Sequence, residues 1–199
     1  MSSHHFVREG QEPALFILEQ TSFSIVEPLL EWAPLVMVAE DAVELVLSWG
    51  IKIDTVIRRN RSLHELEQLL ENQFPVEVIT IENQMIAAVL GIIEAKGHVG
   101  INIVGQLSAE VLEIIENFDG NLQVNLLASH QKWSFIKHGS YEKWLQPGTT
   151  ITIRTKSSGN LSTKGLENVM GQRWSAVSPG PAVINSNQPL WIAEDLWNR

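Results

Sequence analysis

The sequence predicts two domains of different class: an α/β N-terminal domain with a mostly parallel, Rossmann-like sheet, and a small antiparallel β-sandwich domain after it. Up to about residue 119, short apolar runs alternate with helical patterns, as in βαβ units. After residue 128, short strand-like pieces are separated by Pro-Gly and Pro-Gly-Pro turns. Five of the seven tryptophans also lie after residue 130. We therefore predict domains at residues 1–130 and 131–199.

In the N-terminal domain, runs of β-forming apolar residues predict the strands, and apolar residues at helical spacing predict the helices between them. The predicted strands are Ala14–Leu18, Leu35–Val38, Thr55–Ile57, Val76–Ile81, Gly100–Val104 and Leu122–Leu127. The predicted helices are Ala42–Trp49, Ser62 to about Gln73, Gln84–Ala95 and Ser108 to Gly120.

Capping residues define the ends of these helices. Ser62 and Glu65 fit a capping box, in which each side chain accepts a hydrogen bond from a backbone N–H that the helix leaves unpaired. Ser108 is the predicted N-cap of the last helix. Gly50 and Gly97 each follow a helical pattern and end it.

The C-terminal part contains strand patterns of another kind. Thr149–Thr155 alternates Ile151 and Ile153 with polar residues, so one face is expected to be buried and the other solvated. Val183–Ile184 and Leu190–Ile192 predict the last two strands. Together these patterns favour an antiparallel sandwich.

Composition excludes several classes of function. The chain has 199 residues and is 44% hydrophobic, which excludes disorder over most of its length. Its net charge of −9 lacks the basic footprint of a nucleic-acid-binding protein. No cysteine is present for a disulfide, a thiolate metal site or a nucleophile. Because neither a secretory signal nor an apolar run of roughly 20 residues is found, we expect a cytoplasmic protein without a membrane partner.

Few local motifs suggest chemistry. His64-Glu65 lacks the second histidine of a zinc protease motif, and the two common glycine-rich phosphate loops are missing. Ser162, Thr163 and Lys164 precede a glycine and suit an anion or polar ligand, although the local sequence favours a polar turn between strands. Trp174 could stack on a flat ring, but tryptophan in a small sandwich usually belongs to the core.

Two stretches of the chain resemble the thiamin pyrophosphokinase family, which transfers a pyrophosphate group from ATP to thiamin. Ala39–Ser62 fits the family's N-terminal signature without a gap, through Ala39, Leu47, Gly50-Ile51, Asp54, Ile57 and Ser62. Ser162–Leu166 is similar to its Thr-Thr-Lys-Gly-Leu motif, and Gly180–Asp195 to its closing strand pair. The resemblance implies an α/β domain joined to a β-sandwich, and a homodimer.

The catalytic motifs of that family are altered here. Its Asp-Gly-Gly corresponds to Glu40–Ala42, and the Gly-Asp-Phe-Asp-Ser that organises magnesium corresponds to Arg58–Ser62. A later acidic motif keeps at most Glu82, and the Gly-Gly-Arg-x-Asp-His motif is lost near Ser108–Glu113. Arginines therefore stand where carboxylate ligands of Mg²⁺ are expected, so metal-assisted phosphoryl transfer should fail.

On the thiamin side, the resemblance implies pocket residues in the C-terminal domain. These candidates are Ser162, Thr163, Lys164, Trp174 and Ser178.

Three functional hypotheses remain open. The leading one is a catalytically inactive relative, retained to bind a ligand such as thiamin or a nucleotide, or to regulate. The second is an active pyrophosphokinase that uses ATP and a rebuilt Mg²⁺ site of Glu40, Asp54 and Glu82. The third is a metal-independent nucleotide- or anion-binding protein that uses a cluster of Arg58, Arg59 and Arg61, although a surface charge patch or a subunit contact is the favoured interpretation of these residues.

Overall fold

The apolar runs in the first part of the chain form strands, as their pattern predicts. The computed structural model describes residues 12–155 and 161–196. Within them the chain divides into two units, the first ending at Val124 and the second beginning at Asn125. The strands of the first unit are β1 (Ala14–Ile17), β2 (Val36–Ala39), β3 (Thr55–Arg58), β4 (Glu77–Thr80) and β5 (Gly100–Val104).

These five strands form a parallel arrangement in the order β5, β1, β2, β3, β4. All residues of β1 and β2 are buried, as expected of strands covered on both faces. Parallel neighbours require crossover connections, and helices supply them. The helices are α1 (Phe23–Leu30), α2 (Val43–Ser48), α3 (Leu63–Leu69), α4 (Met85–Ala95) and α5 (Ala109–Glu116), with 3₁₀ turns at Glu40–Ala42 and Glu71–Gln73.

Most of the predicted helix ends are confirmed. Gly50 and Gly97 follow their helices with φ of +69° and +81°, and the Ser108 hydroxyl accepts a hydrogen bond from the Val111 N–H at 3.2 Å. The predicted capping box at Ser62 is wrong: Ser62 is at the N-cap position, but its hydroxyl makes no capping hydrogen bond. The loop that leads into α3 is held by Glu40 instead, as described below.

Helix α1 has no counterpart among the predicted elements. It contains Pro28, and Val26 is its one buried residue. A short helix with a proline and a single buried position carries little periodic signal. The sequence pattern therefore missed it.

The second unit is built from antiparallel strands, as predicted. Its strands are β6 (Gln123–Ala128), which starts at the end of the first unit, β7 (Gln131–Ile136), β8 (Gly139–Leu145), β9 (Thr150–Thr155), β10 (Leu161–Lys164), β11 (Leu166–Met170), β12 (Arg173–Ala176), β13 (Gly180–Ser186) and β14 (Leu190–Asp195). The order β11, β12, β9, β14, β7, β6 forms one arrangement, and β10, β13, β8 form a separate sheet. Parallel strands thus occur in the first unit and antiparallel strands in the second.

Side chains from both sheets of the second unit share one core. Ile151 and Ile153 of β9 are 1% and 2% exposed, which confirms the predicted alternation of that strand. They lie in one buried cluster with Leu145 of β8 and Ile184 of β13. The two sheets are thus held together by apolar contact.

Among the described residues, none of the helices has the length and apolar character needed to cross a lipid bilayer.

Candidate functional site

The carboxyl ends of the parallel strands in the first unit open into a cleft of about 730 Å³. In open α/β sheets, ligands bind beyond this end of the strands. The cleft is lined by Leu18–Gln20 after β1, by Ala39–Asp41, Glu44 and Leu45 at and after the end of β2, by Arg59–Arg61 after β3, and by Met85 at the start of α4. It therefore contains residues of two altered catalytic motifs of the sequence analysis, Glu40–Ala42 and Arg58–Ser62.

Glu40 is the most constrained polar residue of this cleft. It follows β2 directly and is 5% exposed. Its Oε1 accepts a hydrogen bond from the backbone N–H of Asn60 at 2.9 Å, and its Oε2 accepts one from the N–H of Arg61 at 2.8 Å. Both carboxylate oxygens of Glu40 are therefore used to hold the loop between β3 and α3.

The hydrogen bonds also keep Glu40 ionised. Burial raises the pKa of this carboxyl group, but the backbone N–H groups of Asn60, Arg61 and Arg59 and the charge of Arg58 outweigh burial. The pKa of Glu40 is thus below its ordinary value. At neutral pH the Glu40 carboxylate is therefore ionised, and its negative charge lies against the backbone of the loop.

The three candidate arginines do different things. Arg58 donates from Nε and Nη2 to the Thr80 hydroxyl at 3.1 and 2.9 Å, and from Nη1 to the Arg61 carbonyl at 2.8 Å. Arg61 forms an ion pair with Glu44, and its Nη1 donates to the Glu40 carbonyl at 3.4 Å. The exposed guanidinium of Arg59 has no hydrogen bond or ion pair with any residue that the structure describes. Arg59 is thus the one of the three available to a ligand.

The candidate acids do not gather around one point. Asp54 precedes β3, and its Oδ2 accepts the Val36 N–H at 2.8 Å at the amino end of the strands. It lies four residue steps before Arg58, which is roughly 13 Å at about 3.3 Å per step along a strand. Glu82 is exposed and does not line the cleft.

These placements do not fit a magnesium site. Both oxygens of Glu40 accept backbone hydrogen bonds, and Asp54 is at the opposite end of its strand. Across residues 12–155 and 161–196, no group of three or more His, Asp or Glu side chains could hold a metal ion. The rebuilt site of Glu40, Asp54 and Glu82 is not formed.

The thiamin-pocket candidates of the second unit are dispersed. Ser162 and Lys164 are exposed on β10, whereas Thr163 between them is half-buried, so neighbouring side chains point to opposite faces. Trp174 is on β12 in the other sheet and packs against the core, which favours its structural interpretation. Ser178 is exposed between β12 and β13.

The backbone conformation at Gly165 explains why a glycine follows Ser162, Thr163 and Lys164. It joins β10 to β11 in the other sheet, with φ of +77°. A Cβ atom at this position would lie 2.8 Å from the carbonyl oxygen of Pro181. The fold therefore requires glycine here without reference to any ligand.

A polar group that the sequence analysis missed links the two sheets of the second unit. Glu194 on β14 accepts a hydrogen bond from the Tyr141 hydroxyl and forms an ion pair with Lys143, both on β8. Burial raises the pKa of Glu194, but the hydrogen bonds from Lys143 and Tyr141 lower it by more. The pKa of Glu194 is therefore below its ordinary value. Burial and the neighbouring Glu194 raise the pKa of Tyr141. The spacing of Tyr141 and Lys143 places both on one face of β8, but no local sequence pattern predicts their contact with Glu194, 53 residues after Tyr141.

Comparisons by sequence find no known protein family and no curated protein that matches this chain. Comparison of structures does find proteins of similar fold. Thiamine pyrophosphokinase from Bacillus subtilis has 11% identity and a TM-score of 0.69 over 92% of this chain and 98% of that one. The enzyme from Geobacillus thermodenitrificans has 8% identity and a TM-score of 0.70 over 92% and 97%, and the one from Candida albicans 10% and 0.67 over 92% and 89%. The fold that the resemblance implies is thus confirmed, and this chain has the fold of the thiamin pyrophosphokinases.

Proposed function

We propose that this thiamin pyrophosphokinase-like protein binds a small ligand in the cleft of its first unit and does not transfer pyrophosphate. The observation that carries the proposal is the position of the Glu40 carboxylate, whose two oxygens accept the N–H groups of Asn60 and Arg61. The same loop is the one in which the resemblance places the magnesium ligands. This acid stabilises the loop, and among the described residues no group of three or more His, Asp or Glu side chains could hold a metal ion with it.

The chemistry of magnesium supports this proposal. Mg²⁺ requires octahedral oxygen ligands, and in phosphoryl transfer it neutralises the charge that develops on the phosphate oxygens. In this chain the end of β3 and the loop after it present Arg58, Arg59 and Arg61 in place of carboxylates. Removing a single stabiliser of developing charge costs on the order of 10²–10³ in rate, so losing several together removes activity.

Charge in the cleft supports the binding of a ligand with a cationic part. Glu19 and Asp41 line the cleft, and their carboxylates have no hydrogen bond or ion pair within the described parts of the chain. A positively charged ring such as that of thiamin is attracted to such groups. These two residues are therefore the proposed recognition groups for thiamin or a similar cation.

Arg59 favours a second candidate, which is metal-independent binding of a nucleotide or another anion. Its guanidinium lines the same cleft as the two free carboxylates. Arginine recognises phosphate through paired hydrogen bonds and needs no metal for it. One arginine among several acids makes this the weaker of the two candidates.

Calorimetric titration with thiamin, and separately with ATP, with and without Mg²⁺, tests the proposal. We expect thiamin to bind equally with and without Mg²⁺, and Asp41→Asn to weaken binding by about tenfold. Glu82→Gln, which changes an exposed acid outside the cleft, is the matched control and should leave affinity unchanged. Formation of thiamin diphosphate from ATP and thiamin, abolished by a chelator, would contradict the proposal.

The homodimer and the cytoplasmic location expected from the sequence belong to the same proposal. Sedimentation equilibrium of the purified chain tests the first, with a mass of twice 22.3 kDa as the expected result. Cell fractionation tests the second.

A further inference from the structure

We propose that a groove between α4 and α5 binds a linear organic polycation, a diamine or polyamine, with one ammonium group at each end of the groove. The groove has a volume of about 650 Å³, which is within the range of small-molecule sites. None of the described residues lines both this groove and the cleft beyond the parallel strands. The proposal therefore goes beyond the proposed function and does not depend on it.

Part of the groove is apolar. Ala87 of α4, Ile114 of α5 and Phe118 after α5 line it, and all three are half-buried. A methylene chain that covers these side chains would remove apolar surface from water. An aromatic ring such as that of Phe118 also attracts an ammonium group that approaches its face. The apolar part of the groove thus suits the hydrocarbon part of a ligand.

Acidic side chains line the groove at two separate places. Glu110 and Glu113 are on α5, whereas Asp119 follows this helix. Glu94, near the end of α4, accepts a hydrogen bond from the Asn121 N–H at 2.8 Å, which places it beside the chain that leaves α5. Because a helix rises about 1.5 Å per residue, the two acidic pairs are roughly 10 Å apart along α5.

These negative charges are not neutralised by basic neighbours. Among the described residues, none that lines the groove is basic, and the carboxylates of Glu110, Glu113 and Asp119 have no hydrogen bond or ion pair there. Neither α4 nor α5 has a basic residue in its last turn, so the negative ends of both helix dipoles add to the charge near Asp119. Lys96, which follows α4, forms an ion pair with Glu77 at 3.1 Å. The groove therefore attracts cations.

The spacing of the acids favours an extended cation over a metal ion. A divalent metal ion needs several oxygen ligands at one point, and across residues 12–155 and 161–196 no group of three or more His, Asp or Glu side chains could hold one. A molecule with ammonium groups about 10 Å apart meets both acidic pairs at once. Its methylene chain then lies on the apolar part of the groove. Charge and apolar surface are thus complementary to one class of ligand.

Calorimetric titration at low ionic strength tests this proposal with three probes. Octamethylenediamine is long enough to reach both acidic pairs, trimethylenediamine has the same charge on a shorter chain, and octamethylene glycol has the long chain without charge. We expect the long diamine to bind about tenfold more tightly than the short one, because only the long diamine meets both pairs and covers the apolar side chains. The glycol should show no measurable binding.

Variants test where the diamine binds. Glu113→Gln and Asp119→Asn each remove one exposed charge, at different ends of the groove, and keep the size of the side chain. Each should weaken binding of the long diamine by about threefold. Glu67→Gln, which changes an exposed acid on α3 outside the groove, is the matched control and should leave the affinity unchanged. Asp41→Asn, the variant that tests thiamin binding in the cleft, should also leave it unchanged.

Three results would overturn the proposal. The first is equal affinity for the long and the short diamine, and the second is equal affinity for the long diamine and the glycol. The third is a loss in Glu67→Gln or Asp41→Asn as large as that in Glu113→Gln, which would indicate general attraction to an acidic surface. Because the two sites are tested with different ligands and different variants, failure here leaves the proposed function standing, and failure of thiamin binding leaves this proposal standing.

Discussion

The two units use a buried or half-buried glutamate in different ways. In the first unit, Glu40 accepts hydrogen bonds from the backbone of a loop 20 residues away in sequence. In the second unit, Glu194 accepts from the Tyr141 side chain and pairs with Lys143 on a strand of the other sheet. One glutamate fixes the shape of a loop, and the other joins two sheets.

This difference bears on how an acidic residue in a catalytic position should be judged. A carboxylate oxygen that accepts one hydrogen bond keeps a further lone pair, so a metal site depends on whether other oxygen ligands converge on the same point. Glu40 matches the family's acidic position in the sequence, yet its hydrogen bonds give it a structural role, as the contacts of Glu194 do in the second unit. The neighbours that the fold brings to the carboxylate, and not the residue type alone, decide whether the acid can do chemistry.

The largest expected effect concerns the glycine between the two sheets of the second unit. Gly165→Ala brings a Cβ to 2.8 Å from the Pro181 carbonyl at φ of +77° and should lower the free energy of unfolding by about 3 kcal/mol. Gly171→Ala is the control, because Gly171 has φ of +57° with nothing within 4 Å, and should cost about 1 kcal/mol. Denaturant unfolding measures both. Equal losses would show that the close approach to Pro181 does not matter.

The next effect tests whether Glu194 joins the sheets. Glu194→Ala leaves the half-buried Tyr141 hydroxyl and the Lys143 ammonium without their acceptor, and should lower the free energy of unfolding by about 2 kcal/mol. Glu142→Ala changes an exposed residue between Tyr141 and Lys143 on β8, and should lower the free energy of unfolding by less than about 0.5 kcal/mol. If the two variants unfold at the same denaturant concentration, Glu194 does not stabilise the contact between the two sheets.

A smaller effect separates neighbouring arginines of the first unit. Arg58→Ala removes three hydrogen bonds of a half-buried side chain and should cost about 1 kcal/mol of unfolding free energy after screening by solvent. Arg59→Ala should change stability by less than about 0.5 kcal/mol while weakening the binding of anions in the cleft. Urea midpoints and phosphate titrations measure the two quantities. A destabilising Arg59→Ala would mean that its guanidinium is structural.

The smallest effect is a difference in pH dependence, because burial partly cancels the hydrogen bonds to Glu40. The pKa of Glu40 is lowered by folding, so its contribution to stability is present above the ordinary value of 4.5 and is lost as pH falls through the folded pKa. Glu40→Gln should therefore flatten the acid side of the stability curve. An unchanged acid side would contradict the role of Glu40.

The alkaline side of the same curve belongs to the second unit. Tyr141 has a raised pKa, so its contribution is present below the ordinary value of 10.0 and is lost as pH rises above it. Tyr141→Phe should remove this loss, and Glu40→Gln should leave it unchanged. Unfolding at a series of pH values distinguishes the two variants.

Strands β1, β2, β3 and β5 of the first unit could be predicted from sequence because they are largely buried on both faces, whereas β4 at the edge of the sheet is partly exposed. Four or five consecutive apolar residues between turn signals are a local signal, and β5 was predicted with its observed bounds. Strands such as β8 and β11 could not be found in this way. Their residues are mostly exposed, so they lack an apolar pattern and owe their conformation to pairing with β13 and β12.

The sequence also predicted Glu40, Arg58, Arg59 and Arg61 as candidate site residues, but it did not predict the contacts that they make. The hydrogen bonds from Asn60 and Arg61 to Glu40 span about twenty residues, and the one from Val36 to Asp54 spans eighteen. Local patterns contain no information on such pairs. The separate contacts of the three arginines were missed for the same reason.

For this protein, the sequence alone determined the class of each half, the buried strands of the parallel sheet, the helix ends at Gly50, Gly97 and Ser108, and the family whose fold it has. These features depend on burial and backbone conformation, which leave local patterns of apolar residues, glycine and capping side chains. Only the tertiary structure decided that Glu40 holds a loop, that Asp54 lies at the other end of the strand, and that Arg59 alone of the three arginines is unpaired among the described residues. Those outcomes depend on which distant groups meet, because the fold decides which donor reaches each acceptor.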